Sequence, residues 1–256
     1  MALRFRRAAW MSLCFVVLLA SIKLFEHWTG QPFDGLALRP HHLAGLIGVI
    51  TAPLLHGSLN HLASNALPLL VLGTLAGTLY PRATRRALPL IWIGSGIVAW
   101  FIGEPNSAHV GASGIAHGLL FLVFVLGMLR RDRQAIAGSM LAFFLYGSMV
   151  VTIFPREYGI SWEMHMGGAL FGLLSAIVWR KLDPPLPRKR YSWEDEPEDV
   201  DFQEVAPANR MLAPGTAEEA WVDNADDAGL EWDDEHDGPR RPVRRRLRPV
   251  RPPTLH

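Results

Sequence analysis

Cys14 is the only cysteine in the 256-residue chain, so no internal disulfide can form. Acidic side chains are scarce over most of the length. Of 24 Asp and Glu, only seven (Glu26, Asp34, Glu104, Asp132, Glu157, Glu163 and Asp183) precede Glu194. A soluble domain scatters its charge, so the part before Glu194 does not read as one. The zinc-protease signature H-E-x-x-H is missing, which removes metalloproteases of the usual kind. No clear small-residue cleavage site follows the first apolar run before Glu26, His27 and Trp28, so that run reads as a retained span and not a secretory signal.

What is present is hydrocarbon. Half of all residues are apolar, and a bilayer core about 30 Å thick needs about 20 predominantly apolar residues per helical span. Six segments qualify: approximately Ala8–Phe25, Leu59–Tyr80, Ala87–Ile102, Ser113–Leu129, Ala135–Phe154 and Trp162–Leu182. His41–Leu55 is also apolar but short, and it contains Pro53, so it reads as an interfacial element of the first external loop. Arg4, Arg6 and Arg7 precede span one. Arg82, Arg85 and Arg86 lie between spans two and three, Arg130, Arg131 and Arg133 between four and five, and Arg180 and Lys181 at the end of six. The alternate loops hold Glu26, Asp34, Glu104, Glu157 and Glu163 with only Arg39 and Arg156. Basic loops stay on the cytoplasmic side, so both termini are expected there and span four starts outside.

Polar residues inside spans cost free energy unless they are partnered or line water, and here they gather at the outer ends. His61 and Asn65 share one face of span two, with His56 just before it. Ser113 opens span four, and His165 lies about a turn into span six. A lone serine in a membrane helix usually bonds its own backbone, and a lone histidine is often interfacial. Five such residues at one depth, from three spans, are harder to explain that way. Serine needs an adjacent base to act as a nucleophile, and neutral histidine suits that task near pH 7. His165 is the natural base for Ser113. Asn65, His61 and the backbone N–H of Ser113 are candidate donors to an oxyanion. With no carboxylate inside the spans to orient the imidazole, a dyad is expected in place of a Ser-His-Asp triad. Gly114 and Gly118 on span four, and Gly168 and Gly172 on span six, repeat a four-residue spacing that permits close backbone approach.

Three motifs, His56-x4-His61-x3-Asn65, Gly111-Ala112-Ser113-Gly114 and His165-x2-Gly168-x3-Gly172, occur in this order on the second, fourth and sixth spans. In this the sequence resembles the rhomboid family of intramembrane serine proteases, over roughly Ala8 to Leu182. The resemblance implies an all-α, six-transmembrane-helix bundle over residues 1–183 that cleaves single-pass transmembrane proteins near their outer ends. It implies Ser113 as nucleophile, His165 as base, and His61 and Asn65 as oxyanion donors, joined by the Ser113 backbone and Gly111. His56 is implied to be structural. The chain departs from the family pattern twice. Ile47 and Gly48 stand where many members carry a Trp-Arg pair in the first loop, implying different docking of that loop. His117 stands where many have Tyr or Phe one turn after the serine, and it is expected to stack on His165.

From Pro184 the composition turns to proline, acidic residues from Glu194 to Asp237, and then the basic run RRPVRRRLRPVRPP. Such a segment buries too little apolar surface to fold alone, so 184–256 reads as a disordered, charged cytoplasmic tail. Trp193, Trp221 and Trp232 within it are possible partner anchors, and its basic end suits anionic lipid. No metal, cofactor or nucleic acid is expected. Two other classes share part of this pattern: a non-catalytic rhomboid-like protein that binds membrane segments, whose typical members lack the serine or histidine found here, and a metal-dependent protease or transporter using His56, His61, His117 and His165.

Overall fold

The computed structural model describes residues 1–155 and 159–184. The expected tail lies outside the described residues from residue 185 onward, as do Arg156, Glu157 and Tyr158. Seven α-helices make up this region: α1 (Ala2–Thr29), α2 (Gly48–Thr51), α3 (Leu59–Leu79), α4 (Pro81–Ile102), α5 (Ser113–Arg130), α6 (Arg133–Tyr146) and α7 (Trp162–Trp179). Among the described residues the only β pairing is an isolated antiparallel bridge between Leu38 and His109.

Helix ends follow from local chemistry. Ser58 caps α3, its side chain accepting from the His61 N–H at 3.0 Å, as N-cap serines do. Pro81 sits at the first position of α4, where its missing N–H costs nothing. The first exposed N–H groups of α4 are satisfied from far along the chain: the Asp183 carboxylate accepts from Arg82 N at 3.1 Å and Ala83 N at 2.8 Å. This otherwise isolated carboxylate thereby ties the segment after α7 to the start of α4. Asp132 caps α6, accepting from Ala135 N at 3.1 Å.

Five helices are long and apolar enough to cross a membrane: α1, α3, α4, α5, and α6 with its continuation to Ile153. The expected fifth span is not one uniform helix. After Tyr146 the chain tightens into a 3-10 segment, Gly147–Ile153. Gly147 and the β-branched run Val150 to Ile153 supply the reason, being poor formers of continued α-helix. The sixth expected span, α7, is as long as α5 but falls outside that set, with Glu163 and His165 in its first turns. The interfacial segment of the first loop is broken into short turns, Leu43–Ile47, Gly48–Thr51 and Ala52–Leu54.

At the centre stands α5, packed against α7, α6, α3 and α4, while α1 packs on α3 at the periphery. Leu119, Leu122, Val123 and Leu126 of α5 join Leu69 and Leu72 of α3 and Ile91 of α4 in the core. The contact of α5 with α7 is made backbone to backbone: a Cβ on Gly168 would collide with the Gly114 carbonyl, and one on Gly172 with the Gly118 carbonyl. This is the close approach that the paired glycine spacing permits.

The first loop docks on α4 through indole donors. Trp92 Nε1 donates to the Ile50 carbonyl and Trp100 Nε1 to the His42 carbonyl, each at 3.0 Å. Gly48, at the position where many family members have arginine, lets the Leu38 backbone lie directly against it, a place no side chain could share.

Candidate active site

Ser113 is the first residue of α5, so its backbone N–H and the next two have no partner within the helix and face its N-terminal end. Gly111 turns the chain into this position at φ +118°, a region that L side chains rarely adopt. A Cβ there would also lie 2.7 Å from the His61 ring, so space and conformation both require glycine.

The base arrives from α7. His165 Nε2 lies 2.8 Å from Ser113 Oγ. His165 Nδ1 lies 3.0 Å from the Thr152 carbonyl oxygen, which can only accept, so the proton of the neutral ring sits on Nδ1. Nε2 is left with its lone pair facing the serine hydroxyl. No carboxylate orients the ring; a backbone carbonyl of the 3-10 segment does.

His117 completes a closed ring of contacts. Its imidazole stacks on that of His165, with centroids 4.0 Å apart and planes 13° from parallel. Its Nδ1 lies 2.7 Å from the Ser113 carbonyl, and its Nε2 lies 2.9 Å from the Thr152 hydroxyl and 3.1 Å from the Met149 carbonyl. Ser113, His165, Thr152 and His117 therefore hold one another through three elements.

A cavity of about 490 Å³ opens over Ser113 and His165, walled by His61 and Asn65 of α3 and by Ala108, Val110 and Ser161. Asn65 is buried, yet its Nδ2 has no hydrogen-bond partner. An unpaired amide donor buried beside a hydroxyl is costly unless a ligand uses it. The Gly111 N–H is committed elsewhere: it donates to the Ala52 carbonyl at 2.9 Å, and so it does not point an unpaired donor into the cavity as expected. Gly111 contributes space instead. His56 is buried behind this wall, its ring edge-on to His61 at 5.2 Å. Burial, with His61 and Lys23 adding to it, pushes the His56 pKa down to about 4.

Residues 43–182 match the family model for the Rhomboid domain. The chain belongs to the rhomboid family. It is a multi-pass membrane protein of a family of intramembrane proteases. Its similarity extends to an uncharacterized protein of Mycobacterium tuberculosis and one of Mycobacterium bovis, each 38% identical over 178 residues, 65% of this chain and 72% of theirs. An uncharacterized protein of Mycobacterium leprae is 33% identical over 186 residues, 68% of this chain and 74% of its own. Within this rhomboid site the sequence reading had overlooked Thr152, because every residue has a carbonyl and no motif marks the one that will meet an imidazole. His109 and Glu163, also buried, belong to no motif either.

Proposed function

We propose that this rhomboid is an intramembrane serine endopeptidase that cuts single-pass transmembrane proteins near the outer face of the cell membrane. Six spans, with α7 as the sixth, and both termini in the cytoplasm complete the reading. Residues 1–183 form the membrane domain and residues 184–256 a charged tail. The observation that supports it most directly is the 2.8 Å contact of Ser113 Oγ with His165 Nε2, in the tautomer that makes Nε2 the proton acceptor.

In this mechanism the Ser113 oxygen attacks the scissile carbonyl carbon as its proton passes to His165 Nε2. Charge builds on the carbonyl oxygen, and Asn65 Nδ2, His61 and the N–H of Ser113 at the helix N-terminus serve as its donors. Collapse expels the amine, which takes the proton from His165, and a water then hydrolyses the acyl-enzyme with His165 again as base. Thr152 keeps the ring in register throughout, the part played by aspartate in a triad.

The test is cleavage of a model transmembrane substrate in detergent or liposomes by the wild type, Ser113→Ala and His165→Ala. Cleavage by the wild type alone is expected. Equal cleavage by all three would refute the mechanism, and no cleavage by the wild type across several substrates would favour a binding protein without catalysis.

A further inference from the structure

We propose that His109 and Glu163 share one proton, and that this buried pair holds the loop carrying Ser113 against the helix carrying His165. His109 precedes Ser113 by four residues and Ser161 precedes His165 by four. His109 Nδ1 lies 2.8 Å from Ser161 Oγ, and its backbone pairs with Leu38 of the first loop in both directions, at 3.1 and 2.9 Å. Three segments thus meet on one residue, beside the cavity. His109 is 5% exposed and Glu163 4% exposed.

The hydrogen-bond directions locate the missing proton. Ser107 Oγ lies 2.7 Å from the Glu104 carbonyl and 2.7 Å from His109 Nε2; with its single proton on the carbonyl, it accepts from Nε2. The neutral ring therefore carries its proton on Nε2, and Nδ1 offers a lone pair. Glu163 Oε2 lies 3.9 Å from that Nδ1 and has no hydrogen-bond partner. Two buried acceptors face each other. One added proton resolves the conflict, on Nδ1 as an imidazolium beside a carboxylate or on Glu163 as an acid, and Ser161 Oγ can bond Nδ1 in either state.

Among the described residues, the other titratable groups facing this site are Glu104 on the same loop and His41 of the first loop, whose Nε2 lies 3.0 Å from the Gly103 carbonyl. Burial holds the His109 pKa below its ordinary value, with the Glu104 carboxylate acting in the opposite sense. That directs the shared proton toward the glutamate. When pH rises far enough to remove it, a buried charge faces a lone pair and the joint between the two catalytic segments loosens. Glu163 and His109 are positioning residues, acting on the dyad through Ser161 and the loop.

This inference rests on the protease reading for its activity measurement but not for its stability measurement. In the first, kcat/KM of the full-length chain on a model transmembrane substrate is followed in detergent from about pH 5 to about pH 10. The wild type is expected to lose about tenfold on the alkaline side as the buried acceptors lose their proton, and Glu163→Gln to show no such fall. His109→Asn moves the fall to lower pH, because Glu163 then holds the proton unaided, and it serves if Glu163→Gln fails to fold. The same alkaline fall in wild type and Glu163→Gln, or a uniform loss at every pH in Glu163→Gln, overturns the proposal. The second measurement follows thermal unfolding over the same pH range for Ser113→Ala with and without Glu163→Gln. Midpoints that diverge at alkaline pH support the pair, and coincident profiles overturn it. If the wild type cleaves nothing, the protease reading falls while these unfolding profiles still decide the pair.

Discussion

If the proposed mechanism holds, replacing Gly168 by alanine should abolish cleavage without touching Ser113 or His165. The new Cβ would lie 2.7 Å from the carbonyl carbon of Gly114 and 3.1 Å from its Cα, against an ordinary contact of 3.4–4 Å. Both neighbours are backbone of α5, so neither can swing aside, and α5 and α7 must part by about 1 Å. Gly114 follows Ser113 directly and Gly168 follows His165 by three residues, so the separation falls at the dyad. A 2.8 Å hydrogen bond stretched by that amount lies beyond the range in which serine passes its proton efficiently. A misplacement of this size costs about 100-fold in rate. The assay is kcat/KM on a transmembrane substrate, with thermal unfolding to establish that the variant is folded. Gly35→Ala is the control, since a Cβ there meets nothing within 4 Å. A folded Gly168→Ala protein with kcat/KM within about threefold of wild type would refute the argument that backbone contact sets the dyad distance.

Asn65→Ala removes the unpaired amide beside Ser113 and should lower kcat by about 10²–10³-fold with little change in KM; a change confined to KM would assign Asn65 to substrate binding instead. His117→Phe keeps a ring on His165 but loses the bonds to the Ser113 carbonyl and the Thr152 hydroxyl. Cleavage should remain largely intact, with His117→Ala clearly worse, and complete loss in the phenylalanine variant would make the hydrogen bonds essential. His56 has a folded pKa of about 4 against an ordinary 6.5, so it favours the folded state while neutral. Its contribution is complete above about pH 6.5 and is lost as pH falls toward 4. The thermal midpoint of the wild type should therefore drop over that interval more than that of His56→Asn, and parallel acid profiles would contradict the assignment.

Much of this candidate site was legible in the residues themselves. Residue type and position along apolar runs selected Ser113, His165, His61 and Asn65, because a polar group in a span demands a reason and these four share the outer ends. The glycine spacing foreshadowed the contact of α5 with α7. Other features left no mark. The fifth span read as one helix, and nothing in its composition marked the carbonyl of Thr152. Gly111 read as a donor by its place in the motif, yet its N–H turned out to be bonded to Ala52, a partner distant in sequence. Glu163 counted as an outer-loop acid, although it is buried beside His109.

Sequence alone determined the class of the molecule, most of its long apolar helices and the chemistry available to them, since hydropathy, helical period and ionisable side chains are properties of residues and their spacing. Only the tertiary structure decided which nitrogen of His165 carries the proton, which N–H groups stay unpaired beside Ser113, and which carboxylate meets which imidazole. Those outcomes depend on contacts between residues far apart in the chain, such as Ser113 with His165, His165 with Thr152 and His109 with Glu163, and backbone donors and acceptors are chemically alike until packing distinguishes them.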